Sequence, residues 1–160
     1  MTKKKMIKEN LSEQFKNKII IITGSTQGSG AETAKLLASR GAKGITICGR
    51  NEKNGKKVKS EIESLGTECI YVKADLENLK DCKKIISQTD KKFGTVNTLI
   101  NSAAYTGRGT ILSTTQKEYE KMFNVNTRAP FFLMQDVIKI MIREKVKGTI
   151  AHVLSVAAYS

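Results

Sequence analysis

The chain has 160 residues, 28 Lys and Arg against 15 Asp and Glu, a net charge of +13 and a single histidine. That length suits one domain with its own core. The lone His152 excludes a His-centred metal cluster, and no apolar run reaches the length of a membrane span.

Residues 1–17 read as a polar lead-in, and no apolar segment follows Lys3–Lys5, so no signal peptide is evident. Residues 18–160 read as one domain. The run Ile19-Ile20-Ile21-Ile22, short and β-branched, predicts a buried first strand over Lys18–Thr23. Thr23-Gly24-Ser25-Thr26-Gln27-Gly28-Ser29-Gly30 follows directly. A helix opens within it and runs to about Arg40, with Gly41 at its C′ position. Gly44–Cys48 predicts the second strand, and Asn51–Leu65 a Lys-rich helix closed by Gly66. Cys69–Val72 predicts the third strand. Asn78–Phe93 is a strongly periodic helix closed by Gly94.

Val96–Ile100 predicts the fourth strand, and residues 102–114 a loop rich in Ser, Thr and Gly. Thr115-x-x-Glu118 has the form of a capping box. It opens a long helix reaching about Lys145, which Pro130 should break or kink near Ala129. Thr149–Ser155 predicts the fifth strand. Strands alternating with helices imply an α/β fold with a doubly wound parallel sheet and right-handed crossovers.

A strand, a glycine-rich turn and a helix opening in that turn make a phosphate site. The glycines let the backbone approach an anion, and the helix start offers free N–H groups. The spacing is Thr-Gly-x-x-x-Gly-x-Gly, which is neither Gly-x-Gly-x-x-Gly nor a Walker loop. The basic residues are dispersed, from Lys3–Lys5 through Lys56–Lys59 and Lys83–Lys84 to Arg143–Lys147, and few aromatics lie among them. That pattern favours solvated helix faces over a nucleic-acid surface. Cys48, Cys69 and Cys82 have no metal spacing and read as small buried residues of a reducing cytosol.

The turn Thr23–Gly30 resembles the cofactor turn of the short-chain dehydrogenase/reductase family. Gly49-Arg50, Ala74-Asp75-Leu76, Asn101-Ser102-Ala103-Ala104, Asn126 and Ser155 fit the same family in the same order. The resemblance runs from about Lys16 to the last residue. It implies a Rossmann sheet of strand order 3-2-1-4-5 lacking its last strands, with the ligand at the carboxyl ends of the strands.

It also implies roles for single residues. Gly24, Gly28 and Gly30 would admit a pyrophosphate, and Ser25, Thr26 and Gln27 would add hydrogen bonds. Ser29 departs from the branched aliphatic residue usual there. Arg50 stands where a carboxylate would grip a ribose 2′-hydroxyl in an NAD enzyme. A guanidinium there pairs with a 2′-phosphate, so NADP is expected over NAD, with Asn51 as a helper. Asp75 would take the adenine amino group and Leu76 would lie along the ring. Asn101 would brace the sheet, with Ala103 in the stretch that lines the cofactor. Ser102 and Ala104 replace the second Asn and the Gly of the family stretch. Asn126 would kink the long helix and hold a water of a proton relay, and Ser155 would hydrogen-bond a substrate carbonyl or alcohol oxygen.

The resemblance breaks at the family's Tyr-x-x-x-Lys pair. Four places after Tyr71, Tyr105 and Tyr119 stand Asp75, Gly109 and Phe123, and Tyr159 is followed only by Ser160. The expectation is therefore a partial chain of a cytoplasmic NADP-dependent oxidoreductase acting on a small carbonyl or alcohol. It is expected to be inactive alone, with no nucleic acid, membrane or metal partner, and with the 115–145 helix available for homo-oligomer contacts. The alternatives are a non-catalytic dinucleotide-binding module and, behind it, a basic nucleic-acid binder on the same scaffold.

Overall fold

All five residues of β1 (Ile19–Thr23) are buried, as a central strand of a covered parallel sheet requires. The computed structural model describes residues 11–155, and among these the chain alternates strand and helix. After β1 come α1 (Gly28–Ser39), β2 (Gly44–Gly49), α2 (Glu52–Ser64) and β3 (Glu68–Lys73). They are followed by α3 (Leu79–Phe93), β4 (Thr98–Asn101), α4 (Gln116–Phe123), α5 (Ala129–Arg143) and β5 (Thr149–His152). The sheet is parallel, in the order β3-β2-β1-β4-β5, as expected.

The two-residue period of β1 divides the core. Ile20 and Ile22 pack with Ala34 and Leu37 of α1 and with Val58 and Ile62 of α2. Ile21 points to the other face, among Ile85 of α3 and Leu133 and Val137 of α5. Full burial of each such side chain stabilises by about 1.5–3 kcal/mol. The buried Thr89 hydroxyl of α3 is held between the Ile85 carbonyl and the Thr46 hydroxyl of β2. All three cysteines are buried, and burial pushes the Cys48 and Cys69 thiols up to about 12 and Cys82 to about 11. No helix among the described residues is long and apolar enough to cross a membrane.

The helix ends follow local chemistry. Asn51 caps α2 by accepting from Asn54 N, and Asn78 caps α3 by accepting from Lys80 N. The Thr115–Glu118 capping box forms at α4. Gly41, Gly66 and Gly94 all take positive φ at the C-terminal ends of their helices.

Three boundaries differ from expectation. β4 starts at Thr98 rather than Val96, because the Asn97 side chain, not a strand carbonyl, accepts from Ile19 N. β5 ends at His152 rather than Ser155, since β4, its only partner among the described residues, ends at Asn101 and the last bond is Val153 N to Asn101 O. The long helix is not one helix broken at Pro130. A π turn, Asn124–Arg128, joins α4 to α5, closed by Ala129 N on Asn124 O. Pro130 lacks an N–H and its ring would strike the carbonyl four residues back, so a widened turn accommodates it inside an unbroken path.

Arg143 at the end of α5 reaches α3 through a forked contact, 2.8 and 2.6 Å to the two Asp90 oxygens, and also meets Gly94 O. Hydrogen bonding from that guanidinium holds the Asp90 carboxyl below its ordinary value. A depressed folded-state value stabilises above the unfolded value, about 3.9, and the gain is lost as pH falls through the folded one. With Arg143 half exposed, solvent screens the contact and its contribution to stability is small. Arg143→Ala should therefore lower the urea midpoint at pH 7 and lose that difference at pH 2. Equal differences at both pH values would contradict the assignment.

Candidate functional site

A cleft of about 620 Å³ opens at the carboxyl ends of the strands. Its floor is the β1–α1 turn. Gly24 has φ +65, and a Cβ there would lie 2.7 Å from Ala103 Cα, so the turn packs directly against the β4–α4 loop. Gly30 is as tight, since its Cβ would meet Gly24 O at 2.6 Å. Gly28 is different: φ is +58 and nothing lies within 4 Å of an added Cβ. Two of the three glycines thus serve internal packing, and the third faces open space in the cleft.

The first turn of α1 starts at Gln27, whose side chain makes no cap. Its leading N–H groups are therefore left for whatever occupies the cleft, where Gly28 and Ser29 form part of the lining.

Of the residues singled out in the sequence, Gly24, Thr26, Gln27, Gly28, Arg50, Asn51, Asp75, Leu76 and Ala103 all line this one cleft. Four different strand ends supply them, which is what the doubly wound topology dictates. Arg50 is exposed and makes no ion pair among the described residues. Asn51 lines the wall but commits its Oδ1 to capping α2. Asp75 accepts from Glu77 N through Oδ1 at 3.1 Å.

Other expected residues lie elsewhere. Ser25 is fully buried under the turn. Its hydroxyl donates to Ile22 O at 2.6 Å and accepts from Cys48 N at 3.0 Å, so it ties β1 to β2 and has no donor left for a ligand. Asn101 sits in the β4 ladder opposite Thr23, with its amide buried and without a partner among the described residues. Ser155 lies past the end of β5, exposed and outside the cleft. Tyr159 lies outside the described residues. Asn126 is in the π turn, and its amide is bonded to backbone. Oδ1 accepts from Tyr105 N and Nδ2 donates to Tyr105 O, both at 2.8 Å.

Four residues that sequence reasoning passed over also matter. The buried Thr23 hydroxyl accepts from Ser102 N and Ala103 N, each at 3.1 Å, and so holds the opposite wall. Tyr105, Lys121 and Val125 line the cleft, with Lys121 Nζ 4.4 Å from the Tyr105 ring centre. The four-residue spacing of Lys121 and Val125, one residue before Asn126, was the available signal.

The residues present fit a dinucleotide. There is an open glycine at an uncapped helix start, apolar lining from Leu76 and Val125, and two cations, Arg50 and Lys121, against one carboxylate, Asp75. Among the described residues no group of His, Cys, Asp and Glu suits a metal.

Residues 18–160 match the family model described as short chain dehydrogenase. An "uncharacterized oxidoreductase" of Thermotoga maritima is 32% identical over 143 residues, which cover 89% of this chain and 55% of that protein. A dehydrogenase/reductase of CLA biosynthesis from Lactiplantibacillus plantarum is 32% identical over 145 residues, 91% of this chain and 50% of that one. A metagenomic short-chain oxidoreductase solved in complex with NADP matches with a TM-score of 0.84 at 24% identity, over 91% of this chain and 66% of that one. The chain spans about half the length of the curated relatives it matches. Sheet order, glycine turn and family match agree, and the chain belongs to the short-chain dehydrogenase/reductase family.

Proposed function

We propose that the cleft binds NADP and that the protein is a reductase or dehydrogenase acting on a carbonyl or secondary alcohol. The observation that carries the choice of NADP is Arg50: an exposed guanidinium just past the end of β2, without an ion-pair partner among the described residues, where a carboxylate would repel a 2′-phosphate. When bound, the nicotinamide supplies or accepts the hydride. Gly28 and the start of α1 hold the pyrophosphate. Leu76 and Val125 flank the adenine, and Asp75 takes its amino group. Ser155 hydrogen-bonds the substrate oxygen. Asn126 acts by holding the Tyr105 backbone in place. Exposed Phe131, Phe132, Ile138 and Ile142 on α5 support contacts with another copy.

These 160 residues contain no Tyr-x-x-x-Lys, so no residue here is assigned as the proton donor. A second reading is a dinucleotide-binding module without catalysis. Nicotinamide fluorescence titrations test the first reading. NADPH should bind about tenfold or more tightly than NADH, and Arg50→Ala should bring the two together. Preference for NADH would contradict the role of Arg50. A Tyr-x-x-x-Lys pair in any continuation of the reading frame would favour the enzyme over the module.

A further inference from the structure

The π turn Asn124–Arg128 grips both walls of the cleft. On one side Asn126 holds the Tyr105 backbone of the β4–α4 loop at 2.8 Å. On the other, Arg128 Nη2 donates to Glu77 O in the β3–α3 loop at 2.7 Å, across 51 residues of sequence. The same Glu77 donates its N–H to Asp75 Oδ1 at 3.1 Å. A continuous path therefore runs from the guanidinium, through one residue's backbone, to the only carboxylate among the described residues that line the cleft.

That path constrains Asp75 closely. Its backbone N–H is already fixed by Asp81 Oδ2 at 2.9 Å, and Glu77 occupies Oδ1. Oδ2 is left as the acceptor for a ligand, with its direction set by the loop. Arg128 holds this arrangement at a cost to itself, since its Nε is buried with no acceptor among the described residues.

We infer that Arg128 is a positioning residue for nucleotide binding: through Glu77 it aims Asp75 at the exocyclic amino group of an adenine ring. The inference rests on the cofactor reading above. It assigns the π turn a function, a strap that keeps the two walls of the base-binding end in register.

Calorimetric titration of the protein with AMP and IMP tests it, because IMP carries an oxo group where AMP carries the amino group. Arg128→Met should weaken AMP about five- to twentyfold and IMP less than twofold. Asp75→Ala should do the same, and Arg128→Met added to Asp75→Ala should cause no further loss, since the two act in series. Arg128→Lys keeps the charge and one donor. It should unfold at the wild-type midpoint and lose about two- to fivefold on AMP alone, which keeps the test intact if the methionine variant does not fold.

Unchanged AMP affinity in the Arg128 variants would overturn the inference and leave the cofactor reading standing. So would additive losses in the double variant, or equal losses for AMP and IMP. A folded wild-type protein that binds NADPH but not AMP would overturn the inference alone, and one that binds neither would overturn both.

Discussion

Gly24→Ala will lower the denaturation midpoint and the affinity for NADPH together. The backbone is left-handed there, φ +65, and the new Cβ would stand 2.7 Å from Ala103 Cα and 2.9 Å from Ala103 N. Both obstacles are backbone and cannot swing aside. The residue must pay for the left-handed conformation, and the β4–α4 loop must move outward as well. Together these should cost about 2–4 kcal/mol of stability. The displaced loop is a wall of the cleft, so NADPH affinity should fall at least about tenfold. Gly28→Ala is the control. Its φ is also positive, +58, but its Cβ meets nothing. It should cost only about 1 kcal/mol of stability while still weakening the ligand. Urea denaturation and nicotinamide fluorescence on both variants check this. Equal stability losses would show that contact with Ala103 is not what Gly24 avoids.

Thr23→Val should be nearly as damaging, though it changes a single atom. The side chain keeps its shape, so packing at the end of β1 is preserved. Only the hydroxyl is lost, and with it the acceptor for Ser102 N and Ala103 N. Thr23 is buried, so water does not replace it freely. Two stranded backbone donors should cost about 2–4 kcal/mol. The loop they anchor should exchange its amide hydrogens faster, at Ser102 and Ala103 before elsewhere. A loss below about 0.5 kcal/mol would mean that the loop is held by other contacts.

Much of the fold was legible because local signals agreed with tertiary demand. Ile19–Ile22 can only be a central strand, and α3 is periodic enough that one face had to be buried. Glycine ended three helices where glycine alone is cheap. What escaped were places where a side chain replaces a backbone partner. Asn97 stands in for a strand carbonyl and shifts the start of β4. Asn126 stands in for a strand in gripping Tyr105, which no periodicity announces.

The π turn escaped for a related reason. Pro130 signals that a straight helix is impossible, but not how the chain will solve the problem. The cleft was legible where its residues end strands, as with Arg50 and Asp75. It was not legible where a helix enters from the side, as with Lys121 and Val125. Ser25 shows the limit of a motif. Its place beside two glycines suggested ligand contact, and the fold turns it inward to join β1 to β2.

A dinucleotide seated in the cleft at the strand ends must shield the backbone that lines it. Amide hydrogen exchange of the folded protein with and without saturating NADPH tests it most directly. Exchange should slow over residues 24–31 and 102–105 and around Asp75, with Lys91, Lys92 and the far end of α3 unchanged. Protection confined to other segments, or a folded protein that NADPH does not protect at all, would contradict it.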